Sequence, residues 1–204
     1  MKKFDSIEQT FLMIKPDGLK RGLVGRIFRK MEEAGLKLVA ARMILATKEQ
    51  AGKNYPDTDE WKKGIGEKGL ASYDNDIKRF KEEYGTDDMI EVGQKVFEGL
   101  VKLLLSGPVL ISVWEGNHAV DEVRAIAGAT VSRFASPGTI RGDWGVDSPP
   151  LAVKSGRIVF SNLLHISDSP KEAKREITHW FGDKFKDLSD YDRVDSANLF
   201  DESW

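Results

Sequence analysis

Residues 10–18 read Thr10-Phe11-Leu12-Met13-Ile14-Lys15-Pro16-Asp17-Gly18. Phe11 to Ile14 form a short unbroken apolar run, the pattern of a buried strand. Lys15-Pro16-Asp17-Gly18 stops that run with turn chemistry. Beyond it Leu23, Val24, Ile27, Phe28, Met31 and Ala34 recur at helical spacing, and Gly35 stands where a helix takes its C-terminal glycine. Residues 37–45 read as a second strand. A further amphipathic helix runs through Val96, Phe97, Leu100, Val101 and Leu104, and Ser106-Gly107-Pro108 ends it. Val109 to Trp114 is a third strand. A short helix carrying Val120, Val123 and Ile126 follows the turn Glu115-Gly116-Asn117, with Asn117 as its N-cap and His118 in its first turn. A fourth strand is expected within Ile158–Leu164, and a last helix from about Ser169, with Ala173, Ile177 and Trp180 on one face. The order is β-α-β, a helical stretch, then β-α-β-α. Two such halves around one sheet predict an α+β fold, a ferredoxin-like α/β sandwich with a four-stranded antiparallel sheet and helices packed on it. The whole chain, 1–204, reads as a single domain with no internal repeat.

Composition narrows the chemistry. Apolar residues make up 40% of the 204 and charged residues 31%, so the chain has the means to bury a core. A formal charge of −2 carries no global field toward nucleic acid or an acidic membrane, so any basic site is local. The absence of cysteine removes disulfides, thiolate metal sites, iron–sulfur clusters and cysteine nucleophiles together. Met1-Lys-Lys-Phe-Asp-Ser6 leads into no apolar signal core, and no run reaches a membrane span of roughly 18 residues. The expectation is a soluble, cytoplasmic protein with no membrane partner.

Residues 57–91 differ from the rest: 17 of these 35 residues are charged, about half, which reads as a solvated helical insertion. The acidic stretch after Trp180 reads as an arm or extended terminus.

Three histidines limit the search for imidazole chemistry. His179, beside Trp180 and Phe181, reads as a structural helix residue, and His118 as a helix-start residue. His165 lies in Asn162-Leu163-Leu164-His165-Ile166-Ser167-Asp168-Ser169-Pro170. There a strand ends and a helix opens, with Ser169 as N-cap, Pro170 in the first helical position and Glu172 completing a capping box. A helix N-terminus suits phosphate groups, and an imidazole beside one serves as nucleophile or base. Cations come from three separate segments: Lys15 at the end of the first strand, Arg124, and Arg141 in the loop Pro137-Gly138-Thr139-Ile140-Arg141-Gly142-Asp143. Together they suit converging phosphates. The P-loop pattern, a G-x-G-x-x-G helix start and a protein-kinase catalytic loop are all missing.

These residues, with Arg21-Gly22-Leu23-Val24-Gly25, Ser106-Gly107-Pro108-Val109 and Trp114-Glu115-Gly116, resemble the nucleoside diphosphate kinases. The matches keep that family's order from about residue 8 to 181. The resemblance implies transfer of the γ-phosphate of ATP to a nucleoside diphosphate by a ping-pong route through a phosphohistidine, with Mg2+ on the nucleotide. Position by position it implies His165 as nucleophile and Lys15, Arg124, Thr130 and Arg141 on the phosphates. Asn162 and Lys15 would contact the ribose, with Tyr55 beside the site. Ser167 and Glu176 would stand behind the histidine, and Asp168 would face the metal through water. It also implies a homo-oligomer, hexamer or tetramer, with nucleoside di- and triphosphates as partners and no need of nucleic acid.

The sequence departs from the family pattern in several places. The stretch from Tyr55 to Ser106 is longer than usual, and the base-stacking aromatic falls there, with Trp61 as a candidate. A second, shorter insertion at about 145–157 contains Pro149-Pro150. The loop Gly128 to Ser136 keeps Thr130 but lacks the usual Asn-Pro after it, and Ile166 replaces a small residue. Two other classes fit the same pattern: a silent nucleotide-binding regulator, and a ferredoxin-like nucleic-acid module.

Overall fold

The computed structural model describes residues 7–182. Strand β1 (Ile7–Ile14) pairs antiparallel with β3 (Val109–Asn117) on one side and with β4 (Leu164–Ile166) on the other, and β2 (Lys37–Ile44) pairs antiparallel with β3. The sheet order is β2-β3-β1-β4. Side-chain alternation divides β1 between two cores. Leu12 and Ile14 join Leu110 and Trp114 of β3 against α2 (Val24–Glu33) and α7 (Ala119–Ala127). Phe11 and Met13 join Val109, Ile111 and Val113 on the opposite face, with Leu104, Ile177 and Trp180 from the helices there. Covering both faces explains why an antiparallel strand reads as a continuous apolar run rather than an alternating one. The expected four-stranded antiparallel sheet with helices packed on it is present.

Several local expectations are corrected. Lys15-Pro16-Asp17-Gly18 does end β1, but as the cap and first turn of a short helix, α1 (Pro16–Lys20), because proline fits the first helical position. β3 runs through Asn117, so His118, in the left-handed conformation at φ 47°, is the N-cap of α7 in place of Asn117. The fourth strand is Leu164–Ile166, later than Ile158–Leu164, and His165 lies within it rather than beyond its end. Ser169 caps the last helix by accepting from the Glu172 N–H, but the Glu172 carboxylate pairs with Arg175, so only half of the capping box forms.

The charged stretch is helical: α3 (Lys48–Gly52), α4 (Asp59–Ala71) and α5 (Ile77–Tyr84) precede α6 (Met89–Leu104). It is not wholly solvated. Tyr73, Phe80, Tyr84 and Val92 are buried together as a small third core. Between Gly145 and Ser161 lies α9 (Pro149–Lys154), and α8 (Ile140–Trp144) precedes it. Buried Asp147 organises this segment by accepting from Arg157, from Ser148 N–H and from Ser161 N–H. The last helix, α10 (Pro170–Phe181), closes the described chain. The expected arm after Trp180 falls, beyond Gly182, outside the described residues.

Helices α4 and α6 touch backbone to backbone. A Cβ on Gly66 would lie 2.3 Å from the Met89 carbonyl oxygen, and one on Gly93 would lie 2.1 Å from that of Lys62. Gly93→Ala therefore forces these helices apart and is expected to lower unfolding stability by about 1–3 kcal/mol. Gly25→Ala, in α2 with open space around it, is expected to raise stability by about 0.5 kcal/mol. Urea titration of both variants checks the contrast.

Candidate active site

β4 pairs with the last three residues of β1, and His165 stands opposite Met13. Its ring therefore points to the Met13 and Phe11 face, toward α10 and α3. There it meets the Phe11 ring at 6.2 Å and the Tyr55 ring edge-on at 5.4 Å. Glu176 sits on the buried face of α10, between Ala173 and Ile177. Its Oε1 lies 2.6 Å from His165 Nε2, and its Oε2 accepts from Ser167 Oγ at 2.5 Å. Burial alone would raise the Glu176 carboxyl. The charge and hydrogen bond of His165, the Ser167 bond and the charge of Arg175 outweigh burial and hold it below the ordinary carboxylate value. An ionised carboxylate only accepts, so Nε2 carries a proton toward Glu176, and whenever the ring is neutral the lone pair is on Nδ1.

The chain makes a strained turn to reach β4. Leu163 is buried at φ +74°, a conformation costly for a branched side chain. Two bonds hold it: Leu163 N–H donates to Asp17 Oδ2 at 2.9 Å, and Leu163 C=O accepts from Lys15 N–H at 2.9 Å. Gly18 makes the approach possible, because a Cβ there would lie 2.8 Å from the Leu163 oxygen. The same turn sets Asn162 beside the Lys15 ammonium, which donates to Asn162 Oδ1.

Lys15 is 3% exposed and Arg141 5%, and neither has a carboxylate partner among the described ion pairs. Arg141 instead donates to three backbone carbonyls, those of Asn162, Gly128 and Leu164, at 2.8–3.3 Å. These bonds fix the guanidinium and leave N–H donors over. Burial lowers the Lys15 ammonium to about 8, with Asp17 opposing and Arg141 adding to the shift. Burial, then the Arg124 charge, lowers Arg141 to about 10. Burial thus disfavours the charge on both groups, and a bound anion would offset that cost.

A cavity of about 460 Å³ is lined by Lys15, Tyr55, Arg124, Thr130, Arg141, Asn162, His165 and Asp168. The cations from three distant segments therefore meet at one site, with the histidine in its wall. Arg124 donates to the Asp168 carbonyl, and the Asn162 amide donates to the Thr130 carbonyl. Ser167 and Glu176 stand behind the histidine rather than in the cavity. Trp61 also lines it, 5.9 Å from the Tyr55 ring.

A model of the family described as nucleoside diphosphate kinase matches residues 8–63 and 77–185. The chain belongs to the nucleoside diphosphate kinase family. A nucleoside diphosphate kinase of Pyrobaculum aerophilum is 47% identical over 175 residues, 86% of this chain and 95% of that protein. One from Archaeoglobus fulgidus is 33% identical over 196 residues, 96% and 99% of the two chains. Among solved structures, the crystal structure of an NDP kinase from P. aerophilum superposes with a TM-score of 0.78 at 45% identity, covering 86% of this chain and 96% of that one. A Borrelia burgdorferi nucleoside-diphosphate kinase, a transition-state mimic with bound vanadate and ADP, superposes at 0.69 with 30% identity, covering 95% and 96%. The chain is accordingly a nucleotide phosphotransferase, and the silent-regulator and nucleic-acid readings fall away.

Sequence reasoning missed three residues that hold this enzyme's site. Asp17 was read only as turn chemistry. Arg175 donates to the Lys53 and Asn54 carbonyls at the end of α3 and lies 3.6 Å from Glu176 Oε1. Asp147 fixes the loop leading to Asn162. Only Asp17 carried a local signal, inside Lys-Pro-Asp-Gly. His179 is structural, its ring nitrogen 2.8 Å from the Gln50 carbonyl.

The lowered Lys15 value has opposite consequences for binding and for stability. Raising the pH through about 8 removes the ammonium charge in the free enzyme, so ADP affinity is expected to fall there. Between about 8 and 10.5 the unfolded chain keeps the proton that the folded chain has shed, so this group adds stability as pH rises. Calorimetric ADP titrations and thermal melts across this range check both limbs.

Proposed function

We propose that the enzyme transfers the γ-phosphate of ATP to a nucleoside diphosphate by a ping-pong route, with His165 Nδ1 carrying the phosphoryl group between half-reactions. The observation that carries this reading is the 2.6 Å contact of Nε2 with buried Glu176, which leaves the Nδ1 lone pair for the cavity lined by Lys15, Arg124 and Arg141. The Nδ1 lone pair attacks the γ-phosphorus. An N–P bond forms, the bond to the bridging oxygen breaks, and ADP leaves with that electron pair. Positive charge appears on the ring, and Glu176, oriented by Ser167, holds the Nε2 proton and stabilises it. An incoming nucleoside diphosphate reverses these steps. Lys15, Arg124 and Arg141 stabilise the charge on the equatorial oxygens in flight, with Thr130 among the phosphate contacts. Asn162 and Lys15 hold the ribose, and Tyr55 packs against the histidine ring. The vanadate and ADP bound together by the Borrelia relative support chemistry at a phosphorus-like centre beside a nucleotide.

Mg2+ fits the donors present. Asp168 lines the cavity, and the described residues hold no cluster of three His, Cys, Asp or Glu that would cage a metal. A cation carried by nucleotide phosphates, keeping several waters and facing one carboxylate, matches that donor set. Bound there, it would neutralise phosphate charge. Assembly as a homo-oligomer is supported by β2, an edge strand whose Met43 is 58% exposed and neighbouring Leu45 74%. A cysteine-free composition suits the cytoplasm.

Incubation with γ-labelled ATP is expected to give acid-labile, base-stable label on the protein, absent in His165→Gln. Glu176→Gln is expected to slow single-turnover phosphorylation by about 10- to 100-fold, as loss of a histidine's orienting partner does. An unchanged rate would show that Glu176 has no part in activating the ring.

A further inference from the structure

Residues 64–76, which the family model leaves unmatched, reach the active site. They include the second half of α4, whose Trp61, Ile65 and Lys68, followed by Ser72, are spaced four, three and four residues apart and so share one helical face. All four line cavity walls. Lys68 lines two cavities: the polar one around His165, and an apolar recess of about 330 Å³ that shares Lys15, Ile65, Leu100, Thr130 and Asn162 with it. The two cavities meet at those residues, so the recess is continuous with the phosphate cavity and can take the base of a nucleotide whose phosphates occupy the first. The recess continues between Val96, Val131, Val159 and Phe160, an apolar surface suited to a flat ring.

Charge within the recess is sparse. Lys15 is committed to Asn162, the Ser72 hydroxyl donates to the Lys68 carbonyl, and no described ion pair engages the Lys68 ammonium. The helix bearing Lys68 is also held in place. Asp74, just past its end, pairs with Arg133 in the loop that follows Thr130. That clasp joins the unmatched segment to the loop whose Val131 and Phe134 line the recess.

The geometry points to Lys68 as a specificity-determining residue that favours bases carrying a ring carbonyl over those carrying an amino group at the same position. An ammonium has three donors and no acceptor. It pairs with the 6-oxo oxygen of guanine or hypoxanthine, and it meets only another donor at the 6-amino group of adenine. A phosphate role is the competing outcome, and it would act on every nucleotide alike. This inference rests on the proposed seating of the phosphates beside His165.

The test is steady-state kcat/KM with ADP, GDP and inosine diphosphate varied in turn. Inosine diphosphate isolates the 6-position, because it lacks the 2-amino group of guanine. In Lys68→Met the preference for GDP and inosine diphosphate over ADP is expected to fall about tenfold, the low end of the worth of one charged hydrogen bond, because Lys68 is exposed when no nucleotide covers it. Lys68→Arg is expected to restore most of it. An unchanged preference ratio, including one that accompanies an equal loss for all three diphosphates, would overturn the inference. Because the ratio is read without reference to the covalent intermediate, failure to detect label on His165 would count against the histidine route alone.

Discussion

The site depends on the pairing of β4 with the last three residues of β1. That pairing sets His165 opposite Met13, and alternation then decides which core its ring enters. One residue of slip would turn the imidazole toward the α2 and α7 side and leave Glu176 without its partner. So short a ladder needs help, and the help comes from the turn before it. Strained Leu163 is held by Lys15 N–H and by the Asp17 carboxylate, the same chain segment whose side chain reaches Asn162. Strain and catalytic geometry are therefore fixed by one set of bonds, at the point where β1 gives way to α1.

A second constraint is electrostatic. Lys15 and Arg141 are buried with uncharged hydrogen-bond partners, an arrangement that burial disfavours and that lowers both groups, the Asp17 charge offsetting this only in part at Lys15. An opposing carboxylate would relieve that cost, but it would also occupy the place of a phosphate. Glu176 shows the converse case: it is buried beside a histidine, a serine hydroxyl and Arg175, and it stays ionised because those groups outweigh its burial. Positive charge in the cavity and negative charge behind the ring are kept apart by the imidazole itself. That separation is what a nucleophile needs when it must attack an anion and then carry positive charge.

Much of the fold was legible because its signals are local. Phe11–Ile14, the helical spacing after Leu23 and the Ser169-Pro170 start each depend on neighbours in sequence. Errors fell where a distant partner decides. β3 extends through Asn117 because β1 continues alongside it to Ile7, and β4 begins at Leu164 because that is where Ile14 offers a pairing partner. The charged stretch read as solvated because charge dominates its composition. Its buried faces appear only when α4 and α5 are packed against α6 and α9, where Phe80 and Tyr84 find cover.

Local pattern in the chain thus determined the number and kind of its main elements and, through motifs in family order, which side chains to watch. Hydrophobic periodicity and capping act over a few residues and need no folded context. The resemblance implied that Lys15, Arg124 and Arg141 gather at His165 with Glu176 behind it; only the tertiary structure brings them into one cavity wall and carries Lys68 there on α4. Those relations join residues up to about 160 positions apart. Packing of two cores on one sheet sets them, and no spacing along the chain encodes them.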